Sequence, residues 1–88
     1  MKIKITYFAQ IRKKAGVESE TVDVAHGATV LAALKTLKHG DEFKSLLFDE
    51  SGALRPVILL VVNEVPVAPD HKLNDGDCVQ VFSPVAGG

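Results

Sequence analysis

Polar and apolar residues alternate from the start of the chain. Ile3, Ile5 and Tyr7 fall on one face and Lys2, Lys4 and Thr6 on the other, which predicts a strand over residues 2–8 with one face in water. Phe8 is out of phase, an apolar residue on the polar face. The basic run Gln10-Ile11-Arg12-Lys13-Lys14-Ala15-Gly16 predicts a turn or short helical loop stopped by Gly16. Alternation resumes in Glu18-Ser19-Glu20-Thr21-Val22-Asp23-Val24, so the first two strands should form a hairpin with a long connection. After His26-Gly27-Ala28 the period changes. Val30, Leu34 and Leu37 recur at i, i+4 and i+7 with Leu31 alongside, which predicts the principal helix, about eleven residues long. Thr29 is placed to cap its start and Gly40 to end it in a left-handed turn. A shorter helical turn is expected over 42–48, and Asp49-Glu50-Ser51-Gly52 has the composition of a loop.

The run Pro56-Val57-Ile58-Leu59-Leu60-Val61-Val62-Asn63 is apolar without alternation, short and β-branched, as in a strand covered on both sides. Asn63-Glu64 should turn it into an edge segment, Val65-Pro66-Val67, because Pro66 cannot donate to a second neighbour. Asp75-Gly76-Asp77 predicts a tight turn into a last strand, Cys78-Val79-Gln80-Val81-Phe82. The order is strand, strand, helix, strand, short strand, strand: an α+β domain over 1–82, a mixed sheet with one principal helix. One helix covers one sheet face. Val57 to Val62 are apolar on both faces, and Phe82 points away from Val79 and Val81, so apolar surface should remain on the uncovered face unless part of 41–55 folds over it. Such a patch on a small domain marks a partner interface.

Beyond Phe82 the chain reads Ser83-Pro84-Val85-Ala86-Gly87-Gly88. Pro84 fixes φ and lacks an N–H, and it pushes Ser83 to an extended conformation, so the strand cannot continue as a central one. The side chains then shrink toward two glycines. Fully extended, these six residues reach roughly 20 Å at about 3.3 Å each. Two readings of the segment 83–88 stand at this point: a frayed chain end where small residues carry no meaning, or a functional tail whose reacting group is the α-carboxylate of Gly88. An unbranched end suits that chemistry, because a Cβ would obstruct a narrow channel and the approach to the carbonyl carbon.

Composition narrows the function. At 88 residues, 47% of them hydrophobic, the chain is one domain with little room for an internal active-site cleft. Ten Lys plus Arg against eleven Asp plus Glu give a net charge of −1, which points away from nucleic acid and anionic membranes as partners. No segment has the apolar length of a membrane span, and the alternating start is unlike a signal peptide, so a cytoplasmic location is expected. The single cysteine, Cys78, agrees with a reducing compartment. It reads as an inert buried or half-buried thiol. His26, His39 and His71 lack metal-ligand spacing and read as surface residues, so no metal is expected. Asp75 and Asp77 read as turn residues, and Arg12-Lys13-Lys14 as a solvated loop.

The order of elements resembles the β-grasp, or ubiquitin-like, fold. Leu73-Asn74-Asp75-Gly76-Asp77, together with Phe82-Ser83-Pro84-Val85-Ala86-Gly87-Gly88, is similar to the family of molybdopterin synthase small subunits within the ubiquitin-like sulfur carriers. So are Tyr7-Phe8-Ala9-Gln10-Ile11-Arg12 with Ala15-Gly16, and Gly27-Ala28-Thr29-Val30. The resemblance implies that an adenylating enzyme related to the ubiquitin activators uses ATP to form a transient acyl-AMP at Gly88. A sulfur donor then converts it to a thiocarboxylate, and the tail enters the large subunit of molybdopterin synthase to give sulfur to a pterin precursor. It implies that Gly88 reacts, Gly87 gives access, Pro84, Val85 and Ala86 line the channel, and Phe82 docks the partner, with no permanently bound cofactor and no catalysis by the small chain alone. Ser83-Pro84 stands where this branch often has two prolines. The segment 46–56 also resembles carriers serving cysteine, thiamine or tRNA thiolation, and ubiquitin-like protein modifiers.

Overall fold

The computed structural model describes residues 1–83; the tail residues Pro84, Val85, Ala86, Gly87 and Gly88 lie outside the described residues. The predicted alternation becomes β1 (Lys2–Tyr7), with Ile3, Ile5 and Tyr7 buried. It pairs antiparallel with β2 (Ser19–Asp23), Ile5 opposite Glu20. Between them the basic run forms a helix, α1 (Ala9–Ala15), whose C-cap Gly16 has a φ of 78° and donates its N–H to Arg12 O at 3.0 Å.

The helix expected to be the principal one is shorter than its pattern suggests, six residues against the seven of α1. Thr29 caps α2 (Val30–Lys35), its Oγ1 accepting from Ala32 N at 3.1 Å. Two further N-terminal donors are satisfied from outside, Val30 N by His71 O and Leu31 N by Pro69 O. The helix stops at Thr36, whose hydroxyl donates to Ala33 O at 2.6 Å while its N–H also turns to that carbonyl. A β-branched residue competing for the i−3 carbonyl tightens the last turn. Leu37 is still buried, so the periodicity continues past the helix. Gly40 consequently changes role. With a φ of 91° it is the N-cap of α3 (Asp41–Leu47), not the end of α2.

The long apolar run also yields a shorter element, β3 (Leu59–Val62), because Pro56 and Val57 turn the chain and Ile58 N bonds Arg55 O at 3.0 Å. Asn63 and Glu64, both at positive φ, turn it into the edge strand β4 (Val65–Val67). The last strand, β5 (Cys78–Phe82), is the middle of a mixed sheet ordered β2-β1-β5-β3-β4, parallel to β1 and antiparallel to β3. Its entry turn is fixed by Asp77, which is buried and accepts from Asn63 Nδ2 at 2.9 Å and Asn74 N at 2.8 Å.

All three helices cover one sheet face. Ile11, Val30, Leu34, Phe43 and Leu47 join Ile5, Tyr7, Leu60, Val79 and Val81 in a single core. The 41–47 segment therefore belongs to the covered side and does not fold over the other one. No helix among the described residues is long and apolar enough to cross a membrane.

Candidate functional site

The second face of the sheet has no helix among the described residues. The strand registers bring onto it Leu59 and Phe82, which are cross-strand partners, and Val61 beside Gln80 and Pro66. Leu59 is 51% exposed and nearby Val57 is 59% exposed. Phe8 follows β1 in an extended conformation and so points opposite to Tyr7, onto this same open face. Its ring stacks on that of Phe82, centroids 4.4 Å apart and planes at 9°. Ala9 then turns sharply with a φ of 54°. A left-handed non-glycine residue costs about 1–2 kcal/mol. The bend lets α1 drop to the covered side while Phe8 stays on the open one.

Phe82, expected to dock a partner, thus sits in an open apolar patch, and Ser83 is the last residue before those outside the described set. Phe8 and Leu59 complete the patch, and Val61, only 9% exposed, lies on the same face. Their sequence signals were a phase break in the first strand and the absence of alternation in the third; which residues they met was not readable. The patch holds no nucleophile–base pair. Among the described residues no three His, Cys, Asp or Glu side chains gather to hold a metal ion.

Two sequence readings need correction. Cys78 is exposed, not buried or half-buried: it opens β5 on the uncovered face, where its neighbours across the sheet are Lys4 and the β3–β4 turn. His39 is not a plain surface residue. Its Nε2 meets Glu20 Oε2, which also accepts from the hydroxyl of Tyr7 at 2.5 Å, and its ring lies edge-on to Phe43 at 4.9 Å. This cluster braces the β1–β2 hairpin against the connection between α2 and α3. Burial first, then the hydrogen bond and charge of Glu20, push the Tyr7 phenol well above its ordinary range. An acid whose folded pKa is raised contributes stability that is complete below the unfolded value and is lost as pH rises beyond it. Tyr7 is the chain's one tyrosine. Its ultraviolet phenolate band should therefore stay silent at about pH 10, where free tyrosine is half ionised, and appear only together with loss of circular dichroism. A phenolate signal in the folded protein would show that the phenol is not held this way.

A mixed five-stranded sheet with its helices on one face and its last strand in the middle is the β-grasp, ubiquitin-like fold. The sequence profile of the ThiS family matches residues 5–88. The molybdopterin synthase sulfur carrier subunit of Escherichia coli is 36% identical over 86 residues, covering 98% of this chain and 99% of that one. The crystal structure of SAMP1, a small archaeal modifier protein of Haloferax volcanii, superposes with a TM-score of 0.90 at 30% identity over the whole of both chains. A protein–protein complex of subunits 1 and 2 of the molybdopterin-converting factor from Helicobacter pylori contains the same fold, with a TM-score of 0.65, 19% identity and complete coverage of both chains. The chain belongs to the ThiS family of ubiquitin-like sulfur carriers.

Proposed function

We propose that this carrier works through the α-carboxylate of Gly88, as the small subunit of a molybdopterin synthase. The observation that carries the reading is the position of the open patch. Phe8, Phe82 and Leu59 lie at the very end of β5, so a protein seated on them is within a few residues of the chain's Gly87-Gly88 terminus. The likeness to the Escherichia coli subunit over nearly the whole chain favours this pathway. In the Helicobacter pylori complex a chain of this fold is found with a second subunit of the molybdopterin-converting factor, an arrangement that agrees with this reading.

In this reading an adenylating enzyme docks on the open face and joins the Gly88 carboxylate to AMP, releasing pyrophosphate from ATP. A hydrosulfide ion supplied by a donor attacks the carbonyl carbon, AMP leaves with the bonding electrons, the S–H proton passes to solvent, and a thiocarboxylate remains. The large subunit then takes the activating enzyme's place on the same face. Pro84, Val85, Ala86 and Gly87 thread its channel, the thiocarboxylate sulfur bonds to a carbon of a pterin precursor, and water cleaves the resulting thioester, leaving sulfur on the pterin and restoring the Gly88 carboxylate. The patch contributes a tethered reactant at high effective concentration, while the partner supplies the catalytic groups. The match to a small archaeal modifier protein supports a second reading, in which the same activated carboxyl forms an isopeptide bond.

Intact mass separates the two. Protein isolated from its own cells should contain a species in which one sulfur replaces one oxygen, absent from a variant lacking Gly88. An unmodified mass after incubation with cell extract, ATP and a sulfur source would remove the carrier mechanism. A ladder of heavier conjugates in that extract would establish the modifier.

A further inference from the structure

The helix layer carries a second feature that the tail chemistry does not use. An open cleft of about 610 Å³ lies between the end of α2, the outer side of α3 and the 48–55 turn. None of its lining residues belongs to the open sheet face. The half-buried ring of Phe48 contributes apolar surface, with Lys35 Nζ 5.8 Å from its centroid. Lys44 and Arg55 add two more cations. Arg55 is fixed in place: its backbone N–H donates to Leu47 O at 2.7 Å and its Nε to Ser45 O at 2.8 Å. Its Nη groups bond no acceptor among the described residues.

Two carboxylates face these three cations, and they differ. Asp49 is occupied by its own turn, Oδ1 accepting from Ser51 N, Ser51 Oγ and Ala53 N at 2.9, 2.6 and 3.2 Å. Those bonds, the Ser51 hydroxyl foremost, hold its carboxyl below the usual range, with the Arg55 charge a smaller contribution. Glu50 is exposed. Cations from three separate elements thus surround an apolar surface, and one of the two local acids is already committed to a turn. An open cleft of this kind suits an extended chain, since a small molecule needs most of its surface enclosed.

We propose that this cleft docks a short acidic peptide segment of a partner protein, an apolar side chain resting on Phe48 and flanking carboxylates pairing with Arg55, Lys44 and Lys35. Arg55 offers the bidentate geometry that carboxylates favour. Because the cleft and the sheet patch share no residue, a carrier seated through Phe82 and Leu59 still presents the cleft. The molecule then holds two proteins at once, and this holds whichever chemistry Gly88 performs.

The test uses the full-length chain and a fluorescein-labelled peptide with one phenylalanine flanked on each side by two glutamates, read by anisotropy at low salt. Saturable binding is expected, weakened about tenfold or more by the double reversal Lys35→Glu with Lys44→Glu and by Arg55→Gln. It should be unaffected by Leu59→Glu. Lys35 and Lys44 are exposed, so the double reversal decides the matter even if Arg55→Gln perturbs the 48–55 turn. Absence of saturation up to ~1 mM, equal binding of the glutamine version of the peptide, or indifference to the double reversal would overturn the proposal. So would displacement of the peptide by ADP, which would make the cleft a nucleotide site, or loss of binding in Leu59→Glu, which would place the peptide on the sheet.

Discussion

A Leu59→Glu variant is expected to keep the wild-type urea midpoint and to bind the activating enzyme about 30- to 1,000-fold more weakly. Leu59 is half exposed and lies across from Phe82, outside the core cluster, so replacing it removes no core contact. Exposed substitutions of this kind usually change stability by no more than about 0.5 kcal/mol. Within a docked complex the same carboxylate would be desolvated against the Phe8–Phe82 stack without a cation from this chain. Central apolar anchors at interfaces are worth about 2–4 kcal/mol, which is the stated range in affinity. Calorimetric titration of the enzyme with wild type and variant checks it, with urea unfolding as the companion measurement. Undiminished affinity would mean that the open face is not where partners seat, and the reading of Phe82 would fall with it.

Phe43→Ala should act in the opposite way, on the fold. Phe43 is fully buried and meets two rings edge-on, Tyr7 at 5.5 Å and 85° and His39 at 4.9 Å and 70°. Truncating a buried phenylalanine costs about 3–5 kcal/mol. At ~0.05–0.15 kcal/mol per residue, a chain of this length has only about 4–13 kcal/mol to lose. With a urea slope of about 1 kcal/mol/M, the midpoint should fall by about 3–5 M, or the variant should be unfolded without denaturant. Phe43→Leu keeps much of the volume but not the ring, and should cost about 1–2 kcal/mol, mostly the edge-to-face contacts. Equal losses for the two substitutions would show that the rings contribute nothing beyond the space they fill.

The parts of this fold legible in the sequence were those decided within a few residues. Ile3, Ile5 and Tyr7 announced a half-buried strand, Gly16 a left-handed helix end, Thr29 a cap, and Pro66 an edge. Each is enforced by a steric or hydrogen-bonding constraint acting on its immediate neighbours. Where two local signals competed, the sequence misled: the Leu34 to Leu37 spacing suggested a continuing helix, but Thr36 turned its hydroxyl onto Ala33 O, and Gly40 went to the next helix. Pro56 and Val57 removed the first turn of what read as one long strand. Interactions between distant positions carried no local trace. Glu20, in phase with Val22 and Val24, pairs with Ile5 on the covered side and gathers Tyr7 and His39, partners that its neighbours in sequence did not signal. The open face could be deduced from two-sided apolarity in 57–62, whereas the contact between Phe8 and Phe82 depends on β1 and β5 running side by side.

That pairing also governs how the protein is made. The strand next to the tail is the last of the sheet to leave the ribosome and the middle one in space, and β1 and β3 do not touch each other without it. Before residues 78–82 emerge, the nascent chain has two unjoined hairpins and an exposed half-core, a state exposed to proteases. Translation that stalls early should therefore yield chains that are degraded. Completion of the sheet by β5 is the step that joins the two halves of the core.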